Sequence, residues 1–255
     1  MASSRPPSPI APRADARLPA LASSTIASER RFFAWLSAAI LAAAVLGFAR
    51  TYLLVPVLGL PADMLPATPL VHLHGATFFA WCVVLTAQSW LVSAGRVRLH
   101  RSLGWVGFAL YLGLVVTGPL VAVRSVVRQG RPPEELAFLA VSLGNVVAYT
   151  LTLGAAFYWR RNTAAHKRLM MIGMVALLTA PFGRLLDLPL QLAHVVGPGF
   201  VVLALALRDR RAHGHVHPVT SRLGVAMLAW ELAPNLYMRS GWWLATAGWL
   251  VDLAG

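Results

Sequence analysis

The residues with most chemistry to offer in this chain are histidines set at the ends of long apolar runs and one carboxylate set inside such a run. His72 and His74 open the stretch PLVHLHGATFFAWCVVL (69–85), and His194 lies near the start of LQLAHVVGPGFVVLALAL (190–207). His100 occurs in LHRSLGWVG (99–107) and His166 in AAHKRLMMIG (164–173), each followed by basic residues, Arg101 in the first case and Lys167 and Arg168 in the second. A neutral imidazole nitrogen is the donor that haem iron, copper or zinc takes. Histidines on neighbouring helices therefore point to haem b or a transition metal (Cu, Zn or Fe), and a His-plus-Arg corner suits an anionic group such as a haem propionate or a lipid phosphate. Glu231 stands within an apolar stretch, three residues before Pro234. A carboxylate near the middle of a bilayer costs about 2.5–3.5 kcal/mol on insertion scales, so it should face the interior with a partner or a proton. Burial also favours its neutral form, which suits proton handling.

Each of these residues also has a plainer reading. His72 and His74 are equally read as wet residues at a helix start, and Glu231 as a structural acid paired with an arginine such as Arg184. The inner-side pairs His100–Arg101 and His166–Lys167–Arg168 also fit simple orientation signals with a neighbouring histidine. Spacing constrains the first pair: residues two apart on a helix point about 200° away from each other, so His72 and His74 share an ion only if the chain after Pro69 is extended. The loop HGHVHP, with His213, His215 and His217, would present all three on one face if extended, although short His tracts of this kind are commonly solvated loops.

These residues must be positioned by helices in a membrane. The 255 residues are 58% hydrophobic and only 12% charged, about half the charge of an average soluble domain. Uncharged stretches at 32–49, 75–95, 102–123, 136–159, 169–183, 188–207 and about 221–239 give seven spans, the fifth short and the seventh interrupted by Glu231. Fold class is therefore all-α: a polytopic integral membrane helical bundle of about seven transmembrane helices. Residues 32–255 form one domain, preceded by a Ser-, Pro-, Ala- and Arg-rich tail (1–31) expected to be disordered and cytoplasmic. The terminal GWWLATAGWLVDLAG is too short to cross. It is expected to lie at the interface, with Trp242, Trp249, Leu250 and Leu253 on one face.

The net charge of +13 is an orientation signal rather than a nucleic-acid surface, because the basic residues cluster between apolar runs. With the N-terminus inside and the C-terminus outside, 16 of the 22 Lys and Arg residues fall on the inner side, as the positive-inside rule requires. That topology puts His72, His74 and His194 in the outer half and His100 and His166 on the inner side. Counting about 1.5 Å per residue from Arg208, His194 stands roughly 21 Å along the sixth span. The lone cysteine, Cys82, excludes an internal disulfide, a thiolate zinc site and a Cys-held iron–sulfur cluster. The only lysine, Lys167, lies at a membrane edge, so no Schiff-base lysine exists in the seventh span.

The ordered set VHLHG, GRVRLHRSLGWVG, HKRLMMIG and HGHVHP resembles a family of uncharacterised bacterial multi-pass membrane proteins over roughly residues 30–250. The resemblance implies a helical bundle in the membrane and no particular activity. In layout alone the chain is also similar to transmembrane b-type cytochromes, in which histidine pairs on neighbouring helices hold haem near each face. Here the inner histidines lie beside the membrane edge instead of a turn or two inside it. Together these readings predict a redox or electron-transfer protein of the inner (cytoplasmic) membrane, exchanging electrons with a quinone or another redox partner. Its outer site would use His194 with His72 or His74, its inner site His100 with His166, and Glu231 would handle protons. Two alternatives stand beside it. One is a proton-coupled carrier of small solutes lined by Glu231, Arg184, Asp187 and Arg50. The other is a non-catalytic assembly subunit.

Overall fold

The computed structural model describes residues 17–62 and 64–254, with side chains for 25–62 and 64–253. Among the described residues the regular elements are all helices, with no strand. Helix α1 (Arg17–Phe48) continues through a π-type turn, Ala49–Leu53, into the short α2 (Val55–Leu58). The segment expected to be a disordered tail is thus helical from Arg17 onward, and residues 1–16 lie outside the described residues. Then follow α3 (Pro69–Ser93), α4 (Val97–Arg128), α5 (Pro133–Tyr158), α6 (Thr163–Gly173), α7 (Val175–Leu186) and α8 (Leu190–His213). A second π-type turn, Val219–Leu223, leads into α9 (Gly224–Leu232), α10 (Pro234–Tyr237) and α11 (Gly241–Ala254).

Helix starts follow local chemistry. Thr68 caps α3 by accepting from the Val71 amide at 3.3 Å, with Pro69 in the first turn. Asn162 caps α6 by accepting from the Ala165 amide at 3.1 Å. Pro132 precedes α5, whose first turn carries Glu134 and Glu135 against the positive helix end. Gly214 closes α8 at φ 74°, the left-handed conformation that glycine adopts without strain.

Among the described residues, six helical stretches are long and apolar enough to cross a membrane: Thr25–Leu53, Pro69–Ser93, Val97–Arg128, Pro133–Tyr158, Thr163–Leu186 and Leu190–His213. The fifth, which looks short in sequence, gains its length from α6, whose Arg168 is taken inward (below). The stretch after His217 is divided instead of forming one long helix. Pro234 offers no amide hydrogen and its ring crowds the carbonyl four residues back, and the Ala233 amide is shared between the carbonyls of Ala229 (3.0 Å) and Trp230 (3.2 Å). The outward faces are apolar, with Trp105 72% and Leu151 67% exposed. Side chains of that kind belong in hydrocarbon. The chain is a multi-pass membrane helical bundle.

In lipid, apolar surface alone does not drive helices together, so close packing over small residues does. α4 lies on α3 through Gly107, against Val84 and Trp81, and through Gly113, against Thr77. α1 packs on α3 and α7, α7 on α8, and α4 and α6 on α5. The combined α6–α7 stretch is the most buried of the six. At its crossing with α1, a Cβ on Gly47 would meet the Pro181 carbonyl oxygen at 2.3 Å, and at its crossing with α5 a Cβ on Gly173 would meet Leu153 at 2.4 Å. Helix α11 seats Ala247 and Val251 against Val126 of α4 and Leu139 of α5. Its Trp242, Trp249 and Leu253 face outward, and Asp252 pairs with Arg131.

Gly47→Ala forces α1 away from a rigid backbone and should lower stability by about 1–3 kcal/mol, read as a lower midpoint for unfolding in detergent. Gly199→Ala on α8, where nothing lies within 4 Å of the new methyl, should leave that midpoint unchanged or raise it.

Candidate functional site

At the end of the bundle where α4 and α6 begin, His100 and His166 come together. Both occupy the fourth helical position of their helices, and their rings stand 6.5 Å apart, centre to centre, nearly perpendicular at 79°. The His166 Nδ1–H donates to the Ala156 carbonyl at 2.8 Å, which leaves its Nε2 lone pair free. His100 Nδ1 is buried with no hydrogen-bond partner, as is Oε1 of Gln88 on α3. Arg101, beside His100, stays exposed.

Arg168 has a different fate. It is 2% exposed, and its guanidinium grips Asp209 of α8 through Nη2 to Oδ1 and Nε to Oδ2 (3.2 Å), while Nη1 donates to the Ala164 carbonyl at 2.8 Å. Asp209 also accepts from Thr220 Oγ1 at 2.7 Å and from the His217 amide at 3.2 Å. Lys167 pairs with Glu29 of α1 over the ring of Phe33, and the same carboxylate lies 4.0 Å from Arg168 Nη2. The expectation that Arg168 receives an anionic cofactor group is therefore corrected: Asp209 already satisfies its fork. Reading the sequence missed Asp209. It stands in the basic run RDRR, where a lone acid is easily taken for surface neutralisation, and no spacing rule links it to a residue 41 positions earlier.

Of the loop histidines, His213 and His215 bring their rings within 6.3 Å of each other, and His217 does not join them. His215 donates through Nδ1–H to the His213 carbonyl at 2.9 Å, while His217 turns in and its Nδ1 accepts from the Val219 amide at 3.1 Å. Burial first, and then the Arg168 guanidinium, hold the His217 imidazole below the usual histidine range, which keeps that acceptor nitrogen unprotonated at neutral pH.

At the opposite end the structure does not gather His72, His74 and His194. The chain is already helical after Pro69, so the two α3 imidazoles diverge. His72 Nδ1 meets the Tyr52 hydroxyl at 3.0 Å, and His74 Nδ1 meets Thr117 of α4 at 3.0 Å. Thr117 spends its own proton on the Gly113 carbonyl (2.7 Å), so it accepts from His74 Nδ1–H. His194 is 0% exposed and lies on α8 beside Asn235 of α10, with α1 and α7 packed between α3 and α8. Among the described residues, no group of three or more His, Cys, Asp or Glu side chains is placed to hold a metal ion.

Glu231 faces inward as expected, 1% exposed, but its partner is a hydroxyl and not an arginine: Thr179 Oγ1 donates to Oε2 at 2.8 Å. Arg184 lies over the Phe48 ring at 5.0 Å and donates to the Ala180 carbonyl at 3.1 Å. Asp187 caps α7 in the left-handed region at φ 50°. Among the described residues no ion pair joins Arg184 to Asp187 or to Glu231, and Arg50 is exposed on its π-type turn.

No protein-family model, curated protein or solved structure matches the chain.

Asp209→Asn strands a buried guanidinium and should cost about 3–5 kcal/mol, measured as unfolding in detergent. The double replacement Arg168→Met with Asp209→Leu removes both charges and should recover most of that loss.

Proposed function

We propose that this protein is a redox protein of the inner (cytoplasmic) membrane that uses His100 and His166 as a ligand pair for haem b or a transition metal. The observation that carries the reading is the meeting of these two imidazoles, 66 positions apart in the chain, at the starts of α4 and α6. With the ring centres 6.5 Å apart, one bound group could be held by both imidazoles. The donor chemistry fits as well. His166 is anchored by the hydrogen bond to Ala156 in the manner of a ligating imidazole, and His100 brings a buried nitrogen with no other partner. When bound, such a group would supply one-electron chemistry. The chain's own part is to hold two neutral imidazoles on helices fixed to α5 and α3, with Arg101 beside them as the remaining cation for an anionic substituent.

The bundle is proposed to sit with its N-terminus inside. The broken stretch from Val219 to Tyr237 then serves as a seventh crossing and α11 lies at the outer interface. The support is the distribution of 16 of 22 basic residues on one side and the outward Trp242 and Trp249 of α11. His100 and His166 are then on the cytoplasmic side, which favours a soluble cytoplasmic electron donor or acceptor at that end.

Protein expressed with haem and iron or copper supplied should purify with a Soret band or with bound metal. His100→Ala and His166→Ala should each abolish it while eluting as the folded protein does. An absent Soret band together with no bound Cu, Zn or Fe by elemental analysis removes the reading.

A further inference from the structure

Three buried polar atoms at the end of the bundle opposite His100 and His166 have no hydrogen-bond partner: Glu231 Oε1, His194 Nε2 and Asn235 Oδ1. Glu231 and Asn235 are four residues apart on consecutive helical turns, so they share a face, and His194 reaches that face from α8. Hydrogen-bond direction fixes what each atom offers. The Asn235 amide nitrogen donates to the Leu232 carbonyl at 3.2 Å, which orients the group, and its second proton points to His194 Nδ1 at 3.3 Å. His194 Nδ1 is then an acceptor, so the proton of the neutral ring sits on Nε2. The three unpartnered atoms are one donor, His194 Nε2–H, and two oxygens, those of Asn235 and Glu231. A water molecule accepting from His194 Nε2–H and from the acid proton on Glu231 Oε1, and donating to Asn235 Oδ1, would satisfy all of them, and buried waters typically make about three such bonds.

Charge sets the state of the acid. From α7 only Thr179 is bonded to Glu231, α8 brings neutral His194, and α10 brings Asn235. Arg184 of α7 is turned to Phe48, and among the described residues no cation lies within ion-pair distance of the carboxyl group. A carboxylate without a cation is unfavourable there, whereas a carboxylic acid is not.

We propose that Glu231 is a proton-loading site within the bundle, exchanging its proton with a water held by His194 Nε2–H and Asn235 Oδ1. In the exchange the carboxyl O–H bond breaks as a new O–H bond forms on the water, which leaves as hydronium. The carboxylate left behind keeps the Thr179 hydroxyl bond. Reloading runs the same steps backward. Glu231 carries the proton, and His194 positions the water. This site is independent of the His100–His166 reading and requires no cofactor.

Infrared spectroscopy of the full chain in lipid nanodiscs tests it. At neutral pH a protonated-carboxyl C=O band should be present and should vanish in Glu231→Gln. Thr179→Val, which keeps the carboxyl group and removes its one hydrogen bond, should move the same band to higher frequency and covers the case in which Glu231→Gln fails to fold. On transfer to deuterated water the band should shift promptly, and in His194→Phe that exchange should slow on the order of a hundredfold. His194→Gln, which restores an N–H donor, should recover most of the rate. If Glu231→Gln and Thr179→Val leave every protonated-carboxyl band untouched, Glu231 is ionised and the proton-loading site is overturned. If His194→Phe exchanges at the wild-type rate, the water relay is overturned.

Discussion

The end of the bundle where α4 and α6 begin depends on one contact, that of Arg168 with Asp209. A guanidinium and a carboxylate at 2% and 3% side-chain exposure are stable only because each is nearly saturated with hydrogen bonds. The pair ties α6 to the last turns of α8, and through Thr220 and the His217 amide it also fixes where the chain re-enters at the second π-type turn. Removing Asp209 leaves a buried guanidinium whose next carboxylate, Glu29, stands 4.0 Å away and already pairs with Lys167. That is why a single conservative change there is expected to be worse than removing both charges.

The two ends of the molecule are built on different electrostatic terms. At the end where α4 and α6 begin, the buried and half-buried charges are paired: Arg168 with Asp209, and Lys167 with Glu29. This leaves the imidazoles of His100 and His166 as the neutral donors between two helix starts. At the opposite end the buried acid Glu231 has, among the described residues, no cation within ion-pair distance and accepts from the Thr179 hydroxyl, while His194 and Asn235 bond each other on the neighbouring helices. Neutral polar groups in a low-dielectric interior hold a proton well and an ion badly. The proposed ligand pair and the proposed proton site thus lie at opposite ends of the bundle. A redox centre and a proton site on opposite faces would make a coherent pair, although each reading stands on its own contacts.

Between these ends the bundle is held by shape. Gly47 against Pro181, Gly173 against Leu153 and Gly197 against Phe182 bring backbones close at successive crossings. The aromatic group of Trp81, Tyr111, Tyr149 and Phe157 fills the space between α3, α4 and α5, with Trp81 Nε1 donating to Met174 Sδ at 3.1 Å. The break between α6 and α7 falls at that methionine, where i to i+3 bonds replace the helical pattern.

The helical class, the membrane environment and the inward direction of Glu231 were legible from residue types alone. Twenty-residue apolar runs have few other destinations, and a carboxylate among them must face protein. The meeting of His100 with His166 was also foreseeable, because both open spans that start on the same side. What the chain order could not reveal was which partner each polar group takes. Arg168 looked available until α8 delivered Asp209, and Arg184 looked like the counter-charge of Glu231 until it lay over Phe48. His72 and His74 looked like neighbours of His194 until α1 and α7 came between. Hydropathy and spacing specify how deep a residue sits, because depth follows from its own transfer energy and its distance along one helix. They leave open the angle at which each helix faces its neighbours. Only packing of all the helices at once sets that angle, and with it the hydrogen bonds that decide the chemistry.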